Sequence, residues 1–221
     1  MPSALIIGAS RGIGLGLAAE LVGRGWDVVA THRSPAPALA ATGARTEICD
    51  IDEASSVSAL LSALADARFD HVLINAGIMG NRGDTASTVS RDALAQLMWT
   101  NAIAPVRAAR LLLPLVKDGG SVGFMTSILG TVGGRNHAHA ELYSASKAAL
   151  NSLTRGFAAQ DVGKRNIAVL NLHPGWVKTD MGGEGADIDV ATSVKGLADV
   201  IATARPPGQR YLDYTGAAIP W

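Results

Sequence analysis

Tyr143 and Lys147 stand four residues apart in a stretch with helical patterning, so their side chains share one helix face. A cation beside a phenol favours the phenolate and lowers the phenol from its usual pKa of about 10. A tyrosine tuned in this way can give or take a proton near neutral pH. A second cluster implies phosphate chemistry. The apolar run at residues 4–7 leads directly into Gly8-Ala9-Ser10-Arg11-Gly12-Ile13-Gly14. A glycine-rich turn from strand to helix lets backbone N–H groups close on a pyrophosphate, and the N-terminus of the following helix favours its negative charge. The glycines at 8, 12 and 14 follow a G-x3-G-x-G pattern rather than G-x-G-x-x-G.

The elements that must position these groups are legible as alternating patterns. Short apolar, β-branched runs occur at residues 4–7, 27–31, 46–49, 71–75, 121–126, 167–172 and 209–212. Runs that are apolar on both faces suit strands of a parallel sheet covered on both sides. Between them the apolar spacing turns helical at residues 13–24, 55–67, 91–117, 143–160 and 191–204, the third interrupted by Pro105 and Pro114. This alternation implies βαβ units and one α/β domain over residues 1–221, a doubly wound parallel sheet of about seven strands with helices on both faces.

Composition excludes several functions. The 221 residues carry 19 Lys+Arg against 19 Asp+Glu, so the basic excess that a nucleic-acid protein needs is missing. With 48% hydrophobic and 17% charged residues the chain is too apolar to be disordered. No apolar run approaches the roughly 20 residues of a membrane helix, and the first residues lack the pattern of a signal peptide. Cys49 is the single cysteine, which rules out an internal disulfide and fits a reducing, cytoplasmic setting. The expected partners are small molecules, with no nucleic acid and no membrane.

Three further motifs extend the first two. Asn75-Ala76-Gly77 ends the fourth apolar run, Tyr143-Ser-Ala-Ser-Lys147 has the form Y-x3-K, and His173-Pro174-Gly175-Trp176-Val177-Lys178-Thr179 contains P-G-x3-T. In this order, and over essentially the whole chain, they resemble the classical short-chain dehydrogenase/reductase family, whose fold is the Rossmann fold. Two positions depart from the family pattern. Ile7 stands where the family usually has a Thr that braces the glycine loop from beneath, and Ile74 replaces the first Asn of N-N-A-G.

The resemblance implies an oxidoreductase that reduces a carbonyl to an alcohol, or the reverse, by hydride transfer with a nicotinamide cofactor. It assigns the catalytic roles to Asn101, Ser127, Tyr143 and Lys147. Ser127 would hydrogen-bond the substrate oxygen, and Tyr143 would protonate it. Lys147 would hold the nicotinamide ribose, and Asn101 would complete a proton relay through water at a kink ahead of Pro105. Thr126, the neighbour of Ser127, should point into the sheet because adjacent strand residues face opposite ways. The cofactor contacts implied are Gly8, Ser10, Arg11, Gly12, Ile13 and Gly14, then Asp50 and Ile51 at the adenine, then Asn75, Ala76 and Gly77. Tyr143, Lys147, Pro174, Gly175, Val177 and Thr179 would complete the set at the nicotinamide end.

The second run ends Ala30-Thr31-His32-Arg33, with no carboxylate to accept a ribose 2′-hydroxyl. Arg33, Arg11 from the loop and His32 can instead hold a 2′-phosphate, so NADP(H) is expected over NAD(H). On the substrate side, residues 176–190 are expected to form a short, glycine-rich and mobile cover, with Trp176 and Leu129 as apolar walls. His137 and His139 could contribute there, but an i,i+2 His pair without a carboxylate or thiolate cluster makes a poor zinc site, so no metal is expected. The segment from Tyr211 to Trp221 resembles the C-factor and sniffer-type carbonyl reductases, which implies aldehydes, ketones or quinones as substrates. Some members of that branch are described by signalling roles, so an NADP(H)-binding regulatory protein with little turnover is the alternative. The family also commonly pairs the helices at 91–117 and 143–160 in homodimers or homotetramers, and this branch includes monomers as well.

Overall fold

The structure is a computed structural model that describes residues 1–133, 140–203 and 207–221. Among these residues seven strands are formed: β1 (Ser3–Ile7), β2 (Asp27–His32), β3 (Arg45–Ile48), β4 (Phe69–Ile74), β5 (Val116–Met125), β6 (Ala168–His173) and β7 (Gly208–Asp213). They make one sheet in the order β3-β2-β1-β4-β5-β6-β7, parallel at every pairing. The chain runs outward from β1 to β3 and then returns to place β4 on the other side of β1. The loops after β1 and β4 therefore diverge and leave a crevice at the carboxyl ends of the strands.

Among the described residues seven α-helices flank the sheet: α1 (Gly12–Gly23), α2 (Pro37–Ala40), α3 (Ala54–Ala63), α4 (Arg91–Met98), α5 (Ala104–Leu112), α6 (Glu141–Phe157) and α7 (Val190–Ala202). Strand alternation sorts the core into two layers. Leu5, Ile7 and Val29 face one way, against Val57 and Leu60 of α3, Leu112 of α5 and Leu150 and Phe157 of α6. Ala4, Ile6 and Val28 face the other way, against Leu17 and Leu21 of α1 and Leu197 and Ala198 of α7. Phe124 of β5 meets Phe157 edge-on, ring centroids 5.6 Å apart at 79°. This two-sided burial is why the strands read as continuous apolar runs.

The helix expected over 91–117 is instead composite. After α4 comes a wider π turn, Trp99–Ile103, then α5, then a tight 3-10 turn at Leu113–Leu115. Pro114 stops the helix, and Val116 begins β5 by pairing with Phe69, so Lys117 belongs to a strand. A bulge follows before Ser121 pairs with His71. Gly119 makes it possible with φ +75°, and a Cβ on Gly120 would lie 2.8 Å from the Asp70 carbonyl. The helix expected over 55–67 stops at Ala63, and the short α2 was not expected.

Candidate active site

The glycine loop sits in the crevice between β1 and β4. Gly8 has φ +89°, and a Cβ there would lie 2.8 Å from Ala76. A Cβ on Gly14 would lie 2.6 Å from the Asn75 amide. Asn75 Nδ2 donates to the Gly8 carbonyl at 2.6 Å, so the Asn75-Ala76-Gly77 turn is locked onto the loop. The brace that Ile7 cannot provide is supplied by Thr31 of β2. Gly8 N–H donates to Thr31 Oγ1 at 3.0 Å, and Ala9 N–H to the Thr31 carbonyl at 2.8 Å. The pairing of Ile6 with Ala30 carries on to put residues 7 and 31 side by side on the same face, so the hydroxyl has moved one strand over. At the start of α1, Arg11 is extended and makes no side-chain cap. The first-turn N–H groups thus have no capping side chain, and they fit a bound phosphate. Ser10 and Arg11 are exposed, Ile13 is half-buried, and a Cβ on Gly12 would meet the Thr179 methyl at 3.6 Å.

The two arginines are held by different carboxylates. Arg33 Nη1 lies 3.8 Å from Asp50 Oδ2, which joins the ends of β2 and β3. Arg11 Nη1 lies 2.9 Å from Asp180, beyond Thr179. His32 Nδ1 lies 2.9 Å from the Ser34 carbonyl. Asp50 Oδ1 accepts from Asp52 N–H at 3.0 Å, and Ile51 beside it is buried.

Ser127, Tyr143 and Lys147 are brought together where β5 ends against α6. Lys147 Nζ stands 5.6 Å from the Tyr143 ring centroid and donates to the Met125 carbonyl at 3.0 Å. Ser127 Oγ accepts from Leu129 N–H at 3.2 Å, and the Ser127 hydroxyl lies near enough to Tyr143 to favour its phenolate. Thr126 faces away, as alternation requires, donating to Asn151 Oδ1 at 2.8 Å. Asn101 lies wholly buried in the π turn. Its Oδ1 accepts from Ile78 N–H at 2.8 Å, and its Nδ2 donates to the Ile78 carbonyl at 2.7 Å and Ser146 Oγ at 3.0 Å. The side chain thus ties the loop after β4 to α6. Pro105 has no N–H to close an α-helical bond to the Asn101 carbonyl. A Cβ on Gly77 would lie 3.2 Å from Asn101 Oδ1 and 3.4 Å from Lys147 Nζ. The backbone there therefore approaches both groups, a cradle that fits the ribose end of a dinucleotide.

The electrostatics differ from the sequence expectation. The phenol of Tyr143 is pushed up to about 12, not lowered. Desolvation of the phenolate is the largest cause, while the hydroxyl of Ser127 pulls the other way and the nearby Tyr211 adds to the rise. Burial also pushes Lys147 down to about 8, which weakens the cation the expectation relied on. Both groups therefore rest closer to neutral than spacing alone suggests.

On the substrate side, Gly175 has φ +84°, and a Cβ there would lie 2.6 Å from Ile188. Pro174 is buried and its carbonyl accepts from Ser193 Oγ at 2.6 Å; Val177 is buried and bridges to Ile188. Thr179 Oγ1 accepts from Gly182 N–H at 3.0 Å. Trp176 is half-exposed, its Nε1 donating to the Gly182 carbonyl at 3.0 Å, and Leu129 is half-buried. Arg82, which sequence reasoning passed over, donates to the Met181 carbonyl and joins the loop after β4 to this segment. His137 and His139 lie outside the described residues. Among the described residues, no group of three or more His, Cys, Asp or Glu is gathered as for a metal ion.

Comparison with known proteins shows the family of the chain. The family model for short chain dehydrogenases matches residues 2–187. A carbonyl reductase from Pseudomonas aeruginosa PAO1, solved in complex with NADP, is 38% identical with a TM-score of 0.92, covering 100% of both chains. The carbonyl reductase Sniffer of D. melanogaster is 28% identical with a TM-score of 0.89, again over 100% of both chains. A protein named C-signal from Myxococcus xanthus is 34% identical over 155 residues, 69% of this chain and 92% of that one. The match spans the glycine loop, the Tyr143–Lys147 helix and the Pro174-Gly175 turn alike, and so the chain belongs to the short-chain dehydrogenase/reductase family, on the branch that holds C-signal and Sniffer.

Proposed function

We propose that the protein is an NADP(H)-dependent carbonyl reductase, acting on an aldehyde, ketone or quinone. The observation that carries this reading is the meeting of Ser127, Tyr143 and Lys147 at the crevice that holds the glycine loop. When bound, NADPH supplies the hydride that adds to the carbonyl carbon and is itself oxidised to NADP+. Ser127 Oγ and the Tyr143 hydroxyl hold the carbonyl oxygen, and the C=O π pair becomes an O–H bond by taking the phenolic proton. A phenol held at about 12 is protonated at neutral pH, the form this donation uses. Lys147 lies next to Gly77 in the cradle suited to the nicotinamide ribose, and the Asn101 carbonyl offers a path for water to return the proton. Asp50, Ile51 and the Asn75-Ala76-Gly77 turn would border the adenosine and ribose. Pro174, Gly175, Val177 and Thr179 would border the nicotinamide, with Trp176 and Leu129 at the substrate. Arg33 and Arg11 favour the 2′-phosphate once it competes for them with Asp50 and Asp180.

The test is loss of NADPH absorbance with a panel of aldehydes, ketones and quinones, beside Tyr143→Phe. Wild-type turnover and a variant slower by about 100-fold or more are expected, because a positioned general acid is worth that much. Full activity in Tyr143→Phe overturns the assignment. The kinship with C-signal favours one second reading, an NADP(H)-binding regulatory protein, for which NADPH binds tightly and no carbonyl on the panel is turned over. The half-exposed Trp99, Ile103 and Leu153 around α5 and α6 support association of two or four copies, which sedimentation measures directly. The lone Cys49, buried as a free thiol, accords with a cytoplasmic protein.

A further inference from the structure

Tyr211 of β7 is known so far only as a neighbour that adds to the rise of Tyr143, yet it is also built into the catalytic turn. Its side chain is 2% exposed, and its hydroxyl crosses over β6 to donate to the Ser127 carbonyl at 2.5 Å. The same turn is held a second time at Thr131, whose Oγ1 donates to the Pro220 carbonyl at 2.8 Å. Pro220 arrives there because the chain folds back beside β7. Leu212 bridges Ala218 in antiparallel fashion, and Ile219 N–H donates to the Tyr211 carbonyl at 2.9 Å. Trp221 then lies on Tyr211, ring centroids 5.2 Å apart, and Arg155 of α6 stands 5.0 Å from the outer Trp221 ring. On the opposite side a Cβ on Gly130 would lie 2.8 Å from Asn151 Nδ2 and 2.9 Å from the Lys147 carbonyl carbon. The turn from Ser127 to Thr131 is therefore clamped between α6, which carries Tyr143 and Lys147, and the Tyr211–Trp221 stack.

We propose that Tyr211, backed by Trp221, is a positioning residue that aims the Ser127 hydroxyl at the substrate oxygen. Fixing the Ser127 carbonyl fixes the peptide plane next to its Cα, and with it the direction of the Cα–Cβ bond that carries Oγ. Catalytic groups must be held within about 0.5 Å, and a misplacement of about 1 Å can cost 100-fold. Ser127 has no long side chain of its own to lock, so the lock is applied to its backbone. Gly130 N–H also donates to the Ser127 carbonyl at 2.8 Å and closes the turn on itself, whereas the Tyr211 hydroxyl is what ties that turn to the sheet; the buried ring alone does not.

The inference rests on the carbonyl reductase reading, and its test separates the two. Wild type, Tyr211→Phe, Trp221→Ala, Ser127→Ala and Ser127→Ala/Tyr211→Phe are compared for kcat, carbonyl KM, NADPH Kd by fluorescence, and Tm. Tyr211→Phe should lower kcat by about 10- to 100-fold while the NADPH Kd stays within about two-fold. Trp221→Ala should follow in the same direction by a smaller factor. At neutral pH, where Tyr143 is protonated with or without this neighbour, Tyr211→Phe in the Ser127→Ala background should change kcat by less than about two-fold, since the aiming of Ser127 is the effect that has been removed. A Tyr211→Phe loss that multiplies with the Ser127→Ala loss overturns the proposal, as does wild-type kcat in Tyr211→Phe. Should Tyr211→Phe fail to fold, Trp221→Ala, whose ring is 39% exposed, carries the same cycle against Ser127→Ala. Absence of turnover by the wild type across the panel overturns the reductase reading and this inference with it.

Discussion

Thr31→Val removes one hydroxyl from beneath the glycine loop and changes almost nothing else in volume. Thr31 is fully buried, and its Oγ1 is the acceptor for Gly8 N–H at 3.0 Å. Gly8 itself is half-buried, so losing this acceptor costs at most the about 1–3 kcal/mol of an unsatisfied donor. For a chain of this length each kcal/mol moves Tm by about 2–4 °C, so a fall of about 2–12 °C is expected by differential scanning fluorimetry. The same free energy bounds the loss of NADPH affinity at about 5- to 150-fold, approached if bound NADPH must reorder a loosened loop. Adding Ile7→Thr to Thr31→Val returns a hydroxyl to the same sheet face, one strand away. It also gives up the buried apolar surface of Ile7, which is 1% exposed. The double variant should therefore recover NADPH affinity without recovering Tm. A Thr31→Val protein with wild-type Tm and wild-type NADPH Kd refutes the claim that Thr31 is the brace.

Arg33→Asp places a carboxylate beside Asp50 at the end of β2 and removes one charge-assisted pair worth about 1.5–3 kcal/mol, so the ratio of kcat/KM for NADPH over NADH should fall by about 10-fold or more. An unchanged ratio would show that Arg33 is only a surface charge. The buried imidazole of His71 is pushed down to about 4 from 6.5 by desolvation, with Ser121 Oγ 2.6 Å from its Nδ1. The unfolded chain takes up this proton as pH falls below 6.5 while the folded chain does not, so stability drops as pH falls through the window from 6.5 to 4. The loss is about 2–3 kcal/mol between pH 7 and pH 4.5. His71→Leu should flatten the urea-unfolding free energy over that interval by this amount, leaving the similar contribution of His173, also pushed down to about 4; an unaltered pH slope would count against it.

What the sequence revealed is what local spacing can encode. Strands buried on both faces write themselves as apolar runs, and a Tyr and Lys four apart share a helix face whatever lies around them. The start of β5 was hidden because Lys117-Asp118-Gly119-Gly120 has the composition of a turn, and only pairing with Phe69 makes a strand of Val116. Thr31 and Tyr211 were passed over for a related reason. Each works through a contact set by register across strands, Gly8 with Thr31 at 23 residues' separation and Ser127 with Tyr211 at 84. The substitution at Ile7 was the one local sign that a hydroxyl had to come from elsewhere.

The pKa of Tyr143 shows the same limit from the side of energetics. Spacing places a cation near the phenol but says nothing of how far either group is desolvated. Burial dominates both, raising Tyr143 to about 12 and lowering Lys147 to about 8. At neutral pH the phenol is therefore protonated, and reduction of a carbonyl consumes that form; oxidation of an alcohol needs the phenolate. A protein of this kind should gain in oxidation rate by about ten-fold per pH unit as pH rises toward Tyr143's pKa, while its reduction rate stays level until the pH nears that value. Comparing kcat/KM in the two directions between pH 6 and pH 10 checks this, and an oxidation rate that is flat across that range would mean that a group other than Tyr143 takes the proton.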